Sequence, residues 1–129
     1  MDGKYLLDKN IVIPFLAGDS RIQHKIRQVA EVFIPVIVIG ELLYGAHKSA
    51  RRAENLARIE EFMAHTVIVA CDIDTARQYG EIKAQLRKAG QPIPENDLWI
   101  AAIALQYECT VASRDGHFAS IPGLALEVW

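Results

Sequence analysis

"YLLDKNIVIPFLAG" (residues 5–18) decides the fold. Its first apolar run is short and uninterrupted, as in a strand buried on both faces. The run ends on an acid, Asp8. Asn10 is suited to cap a helix through the second apolar run, and Gly18 to end it. Pro14 falls within the first turns, where a proline costs least. The stretch therefore reads as strand, acid, helix. The same alternation recurs along the chain. "VFIP" (32–35), "VIVAC" (67–71), "CTVAS" (109–113) and "LALEVW" (124–129) supply four more strand candidates. Between them lie helical patterns. "DSRIQHKIRQVAE" carries Ile22, Ile26, Val29 and Ala30 on one face. "VIVIGELLYGAHKSA" reads as a largely buried helix. "RRAENLARIEEFMAHT" is amphipathic through Leu56, Ile59, Phe62 and Met63. "DIDTARQYGEIKAQLRKAG" has Asp74 or Thr75 as its expected cap and Gly90 as its stop, and "NDLWIAAIALQYE" is apolar almost throughout. Short strands rich in Val and Ile, alternating with helices, predict a short, mostly parallel sheet with right-handed crossovers and helices on both faces. The expectation is one three-layer α/β/α domain over residues 1–129.

The bulk composition agrees. A chain of 129 residues, 51% apolar and 23% charged, can bury a real core. The formal net charge of −2 gives no global field for nucleic acid, so a polyanion would need a local site. Cys71 and Cys109 lack CxxC or metal-ligand spacing and sit in apolar runs, which predicts buried free thiols in a reducing compartment. No apolar stretch reaches membrane-spanning length, and "MDGKYLLDKN" lacks the pattern of a signal peptide, so a cytoplasmic location is expected.

In open α/β sheets the site lies at the carboxyl ends of the strands. Asp8 follows the first strand and Asp115 the fourth. Glu41 is the one Asp, Glu, Lys or Arg between Glu31 and Lys48, in an otherwise apolar helix, and Asp97 opens another. Singly, each has an ordinary explanation: a turn or cap for Asp8 and Asp115, the helix dipole for Asp97, an Arg partner or solvent for Glu41. Together they form a cluster that repels itself unless a cation neutralises it. Oxygen ligands without His or Cys point to a hard divalent ion, Mg²⁺ or Mn²⁺. The Asp-x-Asp of "VIVACDIDTA" is similar to the motif of haloacid-dehalogenase phosphatases, but Ala76 stands where that motif needs Thr or Val. Capping of the following helix is the better account.

Four segments, in order, resemble the PIN-domain ribonucleases, and most closely the toxins of VapBC toxin–antitoxin pairs. They are "YLLDKNIVI", "VIVIGELLYGA", "GQPIPENDLWIAAIAL" and "TVASRDGHFASIPGLALEV", and they span nearly the whole chain. The resemblance implies an endoribonuclease dependent on Mg²⁺ or Mn²⁺. It implies Asp8, Glu41, Asp97 and Asp115 as the acidic site, with Asn10 and Ser113 as helpers. It also implies an RNA substrate, such as tRNA or another structured RNA, a homodimer, and a small antitoxin. The tail of that antitoxin would lie in an apolar groove between the first helices and the helix of Glu41. Lys9 departs from the family pattern, which has Thr there. Its ammonium could pair with Asp8, compete with the cation, meet RNA phosphate or face solvent. A site weakened by Lys9 would leave a PIN-fold module that binds RNA or protein. His24, His47, His65 and His117 form no ligand spacing and read as surface or packing residues. Trp99 and Tyr107 read as core. The basic "HKSARRAENLAR" reads as a solvated face, with phosphate contact along an RNA path as the alternative.

Overall fold

The computed structural model describes residues 3–129. The strand read from the opening stretch is β1 (Lys4–Leu7), and α1 (Lys9–Leu16) follows at once. Next come α2 (Ser20–Gln28), β2 (Glu31–Pro35), α3 (Val36–His47), α4 (Arg52–Ala64) and β3 (Val67–Val69). The chain continues through α5 (Ile73–Lys88), α6 (Glu95–Tyr107), β4 (Thr110–Ser113), a 3₁₀ turn (His117–Ser120) and β5 (Leu126–Val128). The five strands form one sheet in the order β3-β2-β1-β4-β5, and every pairing is parallel.

This order fixes the layers. The chain starts at the centre, steps outward twice to β3, then returns past β1 to β4. Right-handed crossovers place α1 to α4 on one face and α5 with α6 on the other. β1, covered on both sides, is deeply buried: Tyr5, Leu6 and Leu7 are at most 2% exposed. That is why its sequence shows no polar alternation. α6 buries Leu98, Ile100, Ala101, Ala102, Ile103 and Ala104, and its alanines let it lie close to the sheet and α5. At the far edge, the Tyr5 hydroxyl donates to Glu127 at 2.8 Å and the Trp129 indole donates to the other carboxylate oxygen at 3.0 Å, which ties the last strand to the central one. Burial and the neighbouring Glu127 charge push the Tyr5 phenol up to about 12.

Local signals set most boundaries, with two corrections. α1 is capped by Asp8, not Asn10, because the Asp8 carbonyl accepts the first helical bonds from Ile11 (3.0 Å) and Val12 (3.2 Å). α5 is capped by Asp72, not Asp74 or Thr75. The Asp72 carboxylate accepts from the Asp74 and Thr75 amides, and the Thr75 hydroxyl accepts from the Asp72 amide. These bonds hold the Asp72 carboxyl below the usual range. The same bonds account for the Asp-x-Asp pattern as a capping box. Gly18 and Gly90, at φ +88° and +69°, follow α1 and α5 in the left-handed conformation that glycine adopts freely. Two residues expected inside are not. Cys71 is exposed because β3 stops at Val69, and Tyr107 is 39% exposed at the end of α6. Trp99 is half-buried, stacked on Tyr79 at 4.0 Å where α5 meets α6.

α6 ends on Glu108, a non-glycine residue at φ 55°. The left-handed conformation costs about 1–2 kcal/mol for a residue with a Cβ, partly offset by glycine's greater chain entropy. Glu108→Gly is therefore expected to raise stability by about 0.5–1 kcal/mol in urea unfolding.

Candidate active site

Asp8 stands where two elements meet. Its amide donates to the Ala112 carbonyl at 3.0 Å, the last rung between β1 and β4, while its carbonyl starts α1. Both backbone groups are used, so the side chain has a fixed root. It lies at the carboxyl end of the sheet, between the strands where the chain changes direction. That is the switch point at which open α/β sheets place their sites. One carboxylate oxygen accepts from the Lys9 amide at 2.8 Å and the other from the Ser113 hydroxyl at 2.9 Å. Ser113 ends β4 and is fully buried. Its oxygen also accepts from the Asp115 amide (3.0 Å) and the Asn10 side-chain amide (3.2 Å). Asn10 in turn accepts from the Arg114 amide at 3.0 Å. The two expected helpers thus brace Asp8 and shape the loop that carries Asp115.

The other acids arrive from separate elements. Glu41 projects from mid-α3 and its side chain is 23% exposed. One of its oxygens lies 3.4 Å from the Asn96 side-chain amide and 3.8 Å from the Lys9 ammonium. The other is buried and, among the described residues, has no hydrogen-bond partner. Asp97 sits in the first turn of α6, where a negative charge also suits the helix dipole. Its carboxylate lies 2.6 Å from Nε2 of His117. Asp115 is more open, with one oxygen 3.5 Å from Nδ1 of the same ring. Asp8, Lys9, Asn10, Glu41, Asn96, Asp97, Asp115 and His117 line one cleft. All four acids expected from the sequence are therefore brought together.

The electrostatics of the cleft are unfavourable as it stands. Burial pushes the Asp8 carboxyl above the usual aspartate range, and the Asp97 and Glu41 charges push it the same way. The Ser113 and Lys9 hydrogen bonds pull it back only in part. Among the described residues, no three His, Cys, Asp or Glu side chains are gathered tightly enough to cage an ion as they stand. Lys9 draws on Glu41, and His117 holds Asp97. The donor set nonetheless suits a hard divalent cation: it offers carboxylates and an orphaned, buried Glu41 oxygen.

His117 and Asn96 are neighbours of the acids that the sequence did not reveal. His117 lies twenty positions from Asp97 in the chain, and its neighbours offer no ligand spacing. A second depression opens from the same place. It runs between α1, α3 and α4, is walled by Ile13, Leu16, Leu42 and Ile59, and shares Lys9, Glu41 and Asn96 with the cleft. Ile13 and Tyr44 stand 50% and 66% exposed along it. Lys48 and Arg58, from the basic stretch, lie on its border.

Comparison with known proteins gives a consistent picture. The PIN domain family model matches residues 5–124. The chain is 36% identical over 129 residues to Ribonuclease VapC2 of Haemophilus influenzae, covering 98% of both. It is 31% identical over 135 residues to the tRNA(fMet)-specific endonuclease VapC of Salmonella typhimurium, again covering 98% of both. Among solved structures, it is similar to the crystal structure of VapBC2 from Rickettsia felis bound to a DNA fragment from their promoter. That match has a TM-score of 0.87, with 29% identity and 98% of each chain covered.

The raised Asp8 carboxyl has a consequence for stability. Below the ordinary carboxylate range, folded and unfolded chains both hold the proton and Asp8 is neutral in effect. As pH rises through that range the unfolded chain ionises first, and stability is lost until the folded carboxyl ionises too. Asp8→Asn keeps a hydrogen-bonding side chain without the charge. It is expected to raise the melting temperature at neutral pH, without divalent ions, by about 2–6 °C, and the gain should vanish near pH 3. Calorimetry across pH checks both the sign and the window.

Proposed function

The chain belongs to the PIN domain family, and on that premise we propose that it is the toxin ribonuclease of a toxin–antitoxin pair, hydrolysing RNA phosphodiester bonds with a bound divalent cation. The observation that carries the reading is the buried Asp8, held at the switch point and facing the charges of Asp97 and Glu41. Asp8, Glu41, Asp97 and Asp115 would hold Mg²⁺ or Mn²⁺. When bound, such an ion supplies a nucleophile from water and offsets the charge that builds on the phosphoryl oxygens. The chain's own residues bind and orient. Ser113 and the Lys9 amide fix both oxygens of Asp8. Asn10 holds the loop of Asp115 through Ser113 and Arg114. The Lys9 ammonium, 44% exposed at the cleft, is placed to meet a phosphate.

Lys9 also raises the second reading, a binding module with a weakened site. Its contact with Glu41 is long, at 3.8 Å, and open to solvent. Such a pair contributes about 0.2–1 kcal/mol, too little to keep a divalent ion from four carboxylates. The ribonuclease reading is therefore favoured. The Salmonella relative's name, a tRNA(fMet)-specific endonuclease, supports structured RNA as the substrate class, and a cytoplasmic location fits that proposed activity. The similar Rickettsia structure is of VapBC2 bound to promoter DNA, which supports an antitoxin partner for this chain. Here the apolar groove beside α1, α3 and α4 suits an antitoxin segment, because a chain lying in it reaches Lys9 and Glu41 at the cleft.

Cleavage of an end-labelled tRNA pool tests the proposal. The protein is expected to cut in Mn²⁺ or Mg²⁺ and not in EDTA. Asp97→Asn should lose at least about a hundredfold in rate while its melting temperature holds within a few degrees. Cleavage that persists in EDTA, or in Asp97→Asn, overturns it. Cleavage by Lys9→Thr alone would establish the weakened-site reading instead.

A further inference from the structure

The acids of the cleft differ in how they are held. Asp8 is fixed through both oxygens by Ser113 and a backbone amide, and Glu41 has Asn96 and Lys9. Asp97 and Asp115 come from α6 and from the loop after β4. Among the described residues, the side chain that reaches both carboxylates is His117, at 2.6 Å from Asp97 and 3.5 Å from Asp115.

The imidazole is well placed to act as a brace. His117 opens the 3₁₀ turn, and its carbonyl accepts from the Ser120 hydroxyl at 3.0 Å. Its ring stacks on Phe118 with centroids 5.0 Å apart and planes 22° apart, and Phe118 is fully buried. The ring is therefore held by the core on one side while its edge faces the acids. Its grip on one oxygen of Asp97 leaves the other oxygen for the cleft. An unbraced aspartate samples several χ1 wells and a broad χ2, and ordering it opposes every binding event.

We propose that His117 is a positioning residue of this site. It holds Asp97 in the orientation that meets the cation and keeps Asp115 beside it. The inference rests on the ribonuclease reading above, and it adds a residue that the acidic pattern does not contain. Partners that orient ligating side chains are typically worth 10–100-fold in metal affinity.

The test is Mn²⁺ binding to the intact protein, followed by calorimetry and by the electron-spin signal of free Mn²⁺. His117→Ala is expected to weaken binding about 10–100-fold. His117→Gln places an amide nitrogen near the position of Nε2 and should restore most of it, whereas the shorter His117→Asn should behave like Ala. The melting temperatures of the metal-free variants should stay close to one another. The rate of RNA cleavage at limiting Mn²⁺ should follow the affinities and recover at saturating Mn²⁺. Unchanged or tighter binding in His117→Ala overturns the proposal, because the ring then competes with the ion instead of arranging its ligand. Equal loss in the Gln and Ala variants overturns it too. Wild-type protein that binds no Mn²⁺ overturns the metal-dependent reading along with it, so the two failures are distinguishable.

Discussion

The rest of the site depends on how Asp8 spends its backbone. Its amide closes the β1–β4 ladder and its carbonyl opens α1. Asp8 alone separates strand from helix, so no loop absorbs movement. The carboxylate is consequently rooted at the gap between the two central strands, at the end where the chain reverses its outward course. The order β3-β2-β1-β4-β5 then brings the ends of β1 and β4 together, and with them Ser113 and the loop of Asp115. α3 and α6, which pack on opposite faces of the sheet, deliver Glu41 and Asp97 to the same cleft.

That geometry carries an energetic penalty which the fold only partly relieves. A carboxylate in a site of low effective dielectric feels its neighbours' charges more strongly than in water. Hydrogen bonds from Ser113 and Lys9 stabilise the Asp8 anion, yet burial and repulsion outweigh them and keep the carboxyl above the usual aspartate range. Among the described residues, one buried Glu41 oxygen has no hydrogen-bond partner. A purely structural site would be expected to replace such groups with neutral ones, since buried polar atoms without partners cost stability. The account that fits is a site arranged for a cation, with the Lys9 ammonium a weak counter-charge beside Glu41 and the His117 ring a brace on Asp97.

Much of this was legible in the sequence. β1 is buried on both faces, so "YLL" shows no polar alternation and reads plainly as an interior strand of a parallel sheet. Glu41 stands out because nothing charged surrounds it on α3. What was not legible depended on single-residue registers or on distant contacts. Asp8 and Asn10 are both good helix caps, and only the β1–β4 pairing decides that Asp8 takes the role. The cap of α5 is ambiguous in the same way, since "DIDT" contains three acceptable caps and Asp72 takes the role. Cys71 follows an apolar run, but β3 ends two residues before it and leaves it outside. His117 is the clearest case. Its contact with Asp97 is made by a turn after β4 folding back on the start of α6, and no local pattern encodes that. The groove beside α3 was expected from resemblance alone, because its apolar walls are indistinguishable in sequence from core residues.

The central claim is that the fold holds its acids against their repulsion for the sake of a divalent cation. The most direct measurement is the melting temperature of the wild-type protein in rising MnCl₂, beside NaCl solutions of matched ionic strength. A ligand that binds only the folded chain stabilises it by RT ln(1 + [L]/Kd), about 2.7 kcal/mol at a hundredfold excess over Kd. The account predicts a continuing rise with the logarithm of Mn²⁺ concentration that NaCl does not reproduce. Identical curves in the two salts would contradict it.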